Sequence, residues 1–459
     1  MHKVCRNAVL SLLVLSASAD FEVSLLVTSE IRGAVYPVYT SGATCHKYPG
    51  ASIRGLCCSG GAARRRTIFD AGAASLKIDL GSYYTGSGKF FPAFNGTASA
   101  EFFGAAGYDG FGLTFRDFTQ GPEWLASTVA LARSIDAGLP KATVSNYDIS
   151  GDPLLGAVIA PYTLVDLAGG KKLALLSLTN PTHLHSTQPA TARRFQPFLQ
   201  SLLATLAAVR RTSPVPAVIV CIVSDMVVSE SELAAHGSRD AAVNASFAEL
   251  VSLAIGVDAF ILGAFDYPPA ADAVPHLRPN WAGDPVLIVP ALAEVGGTTM
   301  LSVTLKLTDD GVLLSTSTAS TVALDSTVTE HAATATRLDE LWDEMDSRLG
   351  ATIHTLSHAL NSTPTVQVVD ASQLLTSFEP SHCVNYTDGM HACGCRVSSC
   401  RQGAFVSDAL AEMTGADFGI VNAGSIANSI LAGAVTSGDV FAMLPFTDYI
   451  HILSISGAA

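Results

Sequence analysis

Two clusters of metal-binding residue types stand out in the chain. Cys383, Cys393, Cys395 and Cys400 share a short stretch with His382 and His391, a set that could hold zinc. The spacing has no paired C-x-x-C knuckle, and in an oxidising compartment such cysteines form disulfides instead. Thr182-His183-Leu184-His185 offers an H-x-H pair without a third ligand nearby, which makes a weak metal site. Nucleophilic chemistry has less support, since no G-x-S-x-G elbow, phosphate-binding G-x-x-x-x-G-K-[ST] loop or dinucleotide fingerprint occurs.

The elements that would carry a site alternate short apolar runs with amphipathic stretches, as a layered α/β domain requires. Strands are predicted at Val23 to Val27, Ser75 to Asp79, Gly110 to Leu113, Leu173 to Leu178, Ala217 to Val223, Ala259 to Leu262 and Val286 to Val289. Helices are predicted at Ala62 to Ala74, Trp124 to Ala137, Ala192 to Arg210 and Asp240 to Ile255. The Ser/Thr-rich stretch from Ser315 to Thr329 reads as a linker. A long helix from Leu338 to Leu356 follows it, and Thr365 to Val369 opens a second unit.

Leu25-Leu26-Val27-Thr28-Ser29-Glu30-Ile31-Arg32-Gly33 is similar to the T-N-D-x-H-G loop of the secreted 5'-nucleotidase family, and further segments resemble that family in order along the chain. Lys77-Ile78-Asp79-Leu80-Gly81-Ser82 resembles D-x-G-D, and the run from Tyr108 to Thr119 resembles G-N-H-E-F-D. Ile222-Val223-Ser224-Asp225 stands at the S-H segment, and the run from Gly256 to Asp266 at G-I-D-x-x-x-G-G-H-x-H. Further on, Gly403 to Leu410, Gly415 to Ala427 and Gly438 to Phe446 resemble the family's C-terminal substrate-recognition domain. The last of these, with its G-D-V and L-P-F elements, is the strongest match.

The resemblance implies a four-layer metallophosphatase-like αββα sandwich with a second, smaller α/β domain. It divides the chain into a leader (1–19), a metallophosphatase-like domain (20–314), a linker and connecting helix (315–360) and a C-terminal domain (361–459). That last domain is expected to be truncated, because Ser456-Gly457-Ala458-Ala459 falls before the family's second aromatic and final strands.

The family's metal-ligand positions hold different chemistry here: Glu30, Arg32, Ser82, Phe115, Asp225, Ala264 and Asp266. Arg116 and Thr119 replace the His and Asp that assist catalysis. A pair of cations about 4 Å apart needs a bridging carboxylate and neutral ligands, and a guanidinium has no lone pair to donate. Two arrangements remain open: Glu30, Asp225 and Asp266 around one divalent cation, or Arg32 and Arg116 pairing with those carboxylates in place of any metal. The sequence favours the second, and so a protein without metal cofactor or catalysis. In the recognition domain Ala427 stands at the nucleotide-contacting Arg, Ala404 and Asp448 each replace an Asn, and Phe446 alone could stack a base. Nucleotide binding is therefore expected to be weak, and no partner is named by the sequence.

Composition agrees with a large folded protein: 459 residues, 49% hydrophobic and only 14% charged, enough for two cores. A formal net charge of -14 argues against nucleic acid as partner. The one basic run, Arg64-Arg65-Arg66, reads as a solvated helix face. His2, Lys3 and Arg6, the apolar Ala8 to Leu15, and Ala17-Ser18-Ala19 before Asp20 form a signal-peptide pattern, and no later run is suited to span a bilayer. Sequons at Asn95, Asn244, Asn361 and Asn385 fit secretion. Of nine cysteines Cys5 would leave with the leader. Cys45 with Cys57-Cys58 suggests a local bridge, and Cys221 a buried thiol.

Overall fold

The computed structural model describes residues 21–39, 45, 58–86, 90–224, 235, 239–263, 275–291, 297–356, 383–385, 391–393, 401–426, 430, 433–444 and 450–455. Its main strands are β1 (Phe21–Thr28), β2 (Leu76–Asp79), β3 (Gly110–Phe111), β4 (Thr163–Asp166), β5 (Lys172–Leu178), β6 (Val218–Val223), β7 (Ala259–Leu262), β8 (His276–Pro279), β9 (Pro285–Pro290), β10 (Thr299–Leu307), β11 (Thr318–Ala323), β12 (Thr352–Leu356) and β13 (Gly433–Thr436). The main helices are α1 (Ala62–Ala71), α2 (Thr97–Ala106), α3 (Pro122–Ile135), α4 (Phe198–Val209), α5 (Arg239–Leu253), α6 (Ala332–Leu349), α7 (Arg401–Thr414) and α8 (Ser437–Met443).

Two sheets stack face to face, one ordered β11-β10-β1-β2-β3 and the other β8-β9-β7-β6-β5-β4. Strand alternation builds the layers. Leu25 and Val27 of β1 meet Val220 and Ile222 of β6 between the sheets. Leu26 turns the other way onto Phe69 of α1, Phe103 of α2 and Val129 of α3. On the far side Ile219, Cys221 and Val223 pack on Leu202 and Leu206 of α4 and on Leu250 of α5. The result is helix, sheet, sheet, helix. β6 reads VIVCIV and is buried throughout, as a parallel central strand covered on both faces must be.

The parallel strands β1, β2 and β3 of one sheet and β5, β6, β7 and β9 of the other end at carboxyl termini whose loops carry the candidate residues. Cys45 and Cys58 form a disulfide, and Cys221 is a buried thiol outside any disulfide.

Helix α6 buries Leu338, Leu341, Trp342 and Met345, the i, i+3, i+4, i+7 stripe of an amphipathic helix. Trp342 lies 4.7 Å from the Tyr36 ring and 5.9 Å from Phe90, and Arg337 pairs with Glu101 of α2 at 2.6 Å. Beyond it β12 pairs antiparallel with β13, and Thr436 with Asp439 forms a capping box that starts α8.

Four sequence readings are corrected. The stretch expected as a linker contains β11, which pairs with β10 along its length; its residues are largely exposed, so this edge strand shows no apolar alternation. The helix expected to run to Leu356 ends at Leu349, Gly350 caps it, and Thr352–Leu356 is a strand. The helix expected from Ala192 is broken before Phe198 by Pro197. Arg64 and Arg65 are not a solvated face, each being 3% exposed. Arg64 donates to the carbonyls of Cys58 and Gly60 and lies 3.5 Å from Glu330, so only Arg66 of the run reaches water. Thr365 to Val369, expected to open the second unit, and the leader (1–19) lie outside the described residues.

Candidate functional site

Main-chain bonds join the loops after β1 and β2. Glu30 N donates to Gly81 O at 3.3 Å, Arg32 N to Ser82 O at 2.7 Å and Gly33 N to Tyr83 O at 2.8 Å. Glu30, Arg32 and Ser82 hold left-handed backbone, with φ of 54°, 51° and 58°, a conformation costing an L-residue about 1–2 kcal/mol. A Cβ on Gly86 would lie 1.4 Å from Arg32 O, so only glycine lets the chain pass there.

Within this frame Arg32 Nε lies 2.6 Å from Glu30 Oε2, their side chains 20% and 3% exposed. Ser82 is fully buried; its Oγ is 2.7 Å from Thr114 Oγ1 and its amide donates to Asp117 Oδ2 at 2.8 Å. Asp117 also accepts from Thr114 N at 2.9 Å and closes the capping box of the single helical turn Phe115–Phe118. Burial pushes its carboxyl up to about 6, against the pull of those amide bonds.

The same turn carries the remaining described candidates. Phe115 is 7% exposed, with the Arg116 guanidinium 5.1 Å from its ring centroid and the His183 ring at 4.6 Å. Thr119 Oγ1 donates to Arg116 O at 2.7 Å. The structure therefore brings Glu30 with Arg32, and Ser82 with the turn bearing Phe115, Arg116 and Thr119. His183 reaches this cluster through Phe115, and His185 is exposed. Asp225, Ala264, Asp266, Ala427, Phe446 and Asp448 lie outside the described residues, as do the side chains of the cysteine cluster from Cys383 to Cys400. Ala404 lies on α7.

One functional-looking group was missed by sequence reasoning. Asp79, fully buried at the end of β2, accepts from Thr28 Oγ1 at 2.5 Å and Gly81 N at 2.8 Å, while Thr28 also meets Tyr108 Oη at 2.9 Å. Burial raises its carboxyl to about 8, although the Thr28 and Gly81 bonds and the Arg65 charge oppose the rise. Arg65 lies 5.8 Å from the Tyr83 ring centroid. The available signals were an Asp at the end of an apolar strand and an Arg sharing α1 with the buried Ala62 and Phe69.

Residues 382–459 match the family profile of the 5'-nucleotidase C-terminal domain. A 5'-nucleotidase precursor from Thermus thermophilus superposes with a TM-score of 0.62 at 19% identity, covering 93% of this chain and 74% of its own. The chain carries the 5'-nucleotidase fold. A putative 5'-nucleotidase from Staphylococcus aureus gives a TM-score of 0.60 at 17% identity, over 93% of this chain and 72% of that one. A calcineurin-like phosphoesterase from Bacillus subtilis gives 0.51 at 15% identity, over 72% and 99%, and matches the metallophosphatase-like sandwich expected from the sequence. No curated protein matches. No helix among the described residues is long and apolar enough to cross a membrane.

Proposed function

We propose that this is a secreted 5'-nucleotidase-like protein that has lost the di-metal site, holds no metal cofactor and acts as a non-catalytic binding or structural relative. The Glu30–Arg32 ion pair at 2.6 Å carries the reading. The resemblance puts both residues at metal-ligand positions, and there a guanidinium repels a cation and occupies the carboxylate that could bind one.

The neighbouring positions support it. At the bridging position Ser82 offers a hydroxyl already bonded to Thr114, with no charge to hold two cations together. Phe115 presents a ring with the Arg116 guanidinium and the His183 ring beside it and has no donor atom. These described residues do not fit a bridged metal pair. Among the described residues Asp79 and Asp117 are further carboxylates nearby, but both are fully buried and engaged by backbone amides, with pKa values pushed upward.

The test is purified secreted protein, assayed for bound metal and for phosphate release from AMP, ADP and UDP-sugars with added manganese, zinc or calcium. The expected result is no stoichiometric metal and no release above background. Turnover that rises with metal and disappears with chelator would replace this reading by a residual phosphohydrolase using Glu30, Asp225 and Asp266.

A further inference from the structure

Asn95-Gly96-Thr97 forms the turn between the short helix Phe90–Phe94 and α2. Asn95 is exposed and holds left-handed backbone at φ 47°, which Asn tolerates better than most residues. Trp124 Nε1, from α3, donates to Asn95 O at 3.0 Å and to Asn95 Oδ1 at 3.1 Å. That bond fixes the amide by its oxygen. Asn95 Nδ2 makes no hydrogen bond among the described residues. Thr97 Oγ1 is turned back onto Phe94 O at 2.7 Å, and Gly96 packs on the indole so closely that a Cβ would lie 2.4 Å from Trp124 Cζ2.

We propose that Asn95 is an occupied N-glycosylation site, with Trp124 as the residue that holds the modified amide in place. In the transfer Asn95 Nδ2 attacks the anomeric carbon of a lipid-pyrophosphate-linked oligosaccharide. The N–C bond forms, the C–O bond to pyrophosphate breaks, the lipid pyrophosphate leaves, and the amide proton passes to a base of the transferase. Transfer occurs on the chain before folding, so the folded structure has to accommodate the product. The substituted nitrogen gives up no hydrogen bond to a described residue, belongs to an exposed side chain and leaves Oδ1 as acceptor for Trp124. A sequon whose nitrogen was buried or bonded would instead lose that bond on modification.

The proposal rests on the secretory part of the function proposed above, and its test separates the two. The full chain is expressed in cultured eukaryotic cells, once with its own N-terminus and once with residues 1–19 replaced by an unrelated cleavable leader. Protein from medium and microsomes is treated with peptide:N-glycosidase F in heavy-oxygen water and mapped by mass spectrometry. Heavy aspartate at position 95 is expected, together with loss of one glycan's mobility shift in Thr97→Ala. A chain modified at Asn95 only behind the unrelated leader upholds the site while refuting natural secretion. An unmodified Asn95 behind that leader overturns the proposal, whatever the native N-terminus does.

Discussion

Replacing Arg32 by Ala isolates what holds the candidate site together. The change leaves the Glu30 carboxylate, 3% exposed, without its guanidinium. Removing one partner of a buried pair costs about 3–5 kcal/mol; because Arg32 is itself 20% exposed, the lower end, about 3 kcal/mol, is expected. Arg32→Gly loses the same pair but relieves the left-handed backbone, by about 1–2 kcal/mol, against about 0.5–1 kcal/mol of added chain entropy. It should therefore be about 0.5–1 kcal/mol less damaging than Arg32→Ala. With Glu30→Gln in the background no charge is stranded, and the cost of Arg32→Ala should fall to about half. Urea unfolding followed by tryptophan fluorescence measures each term, and the melting temperature of Arg32→Ala should drop by about 3–5 °C. An Arg32→Ala protein as stable as the parent, or a double change whose cost is the simple sum, would refute charge compensation at this site.

Asp79 is neutral in the fold up to about pH 8, against an ordinary value of 3.8, so the folded state binds the extra proton between those limits. Its contribution to stability is complete below about pH 4 and is lost as pH rises toward 8, with a slope of at most about 1.4 kcal/mol per pH unit; Asp79→Asn should flatten that slope in urea titrations from pH 6.5 to 7.5. Gly86→Ala forces a Cβ into Arg32 O and should destabilise by about 3 kcal/mol or more, read as a lower urea midpoint. Added magnesium, calcium or zinc should leave the melting temperature within about 1 °C, since a ligand that does not bind the native state cannot stabilise it.

Much of the sandwich was legible because its central strands are short apolar runs: β5, β6, β7 and β9 lie within a residue of their predicted limits. What escaped has physical causes. β11 is an edge strand clothed in Ser and Thr, so composition alone cannot tell it from a linker. Arg64 and Arg65 look solvated in one dimension, yet Arg64 is buried where it donates to Cys58 O and approaches Glu330, and Arg65 where it lies beside the Tyr83 ring. At the site, residue types gave the lost metal chemistry to propose, and the linear order gave the loops. The left-handed turns at Glu30, Arg32 and Ser82 could not be read, because glycine is the residue that advertises such backbone and none of the three is glycine.

The bonds from Glu30, Arg32 and Gly33 to the carbonyls of Gly81, Ser82 and Tyr83 run entirely through main chain. These three links between the loops do not depend on which side chains the positions of Glu30, Arg32 and Ser82 bear. Such a frame is a socket: on the proposed reading, side chains at these positions can be exchanged while the main-chain links between the two loops stay in place.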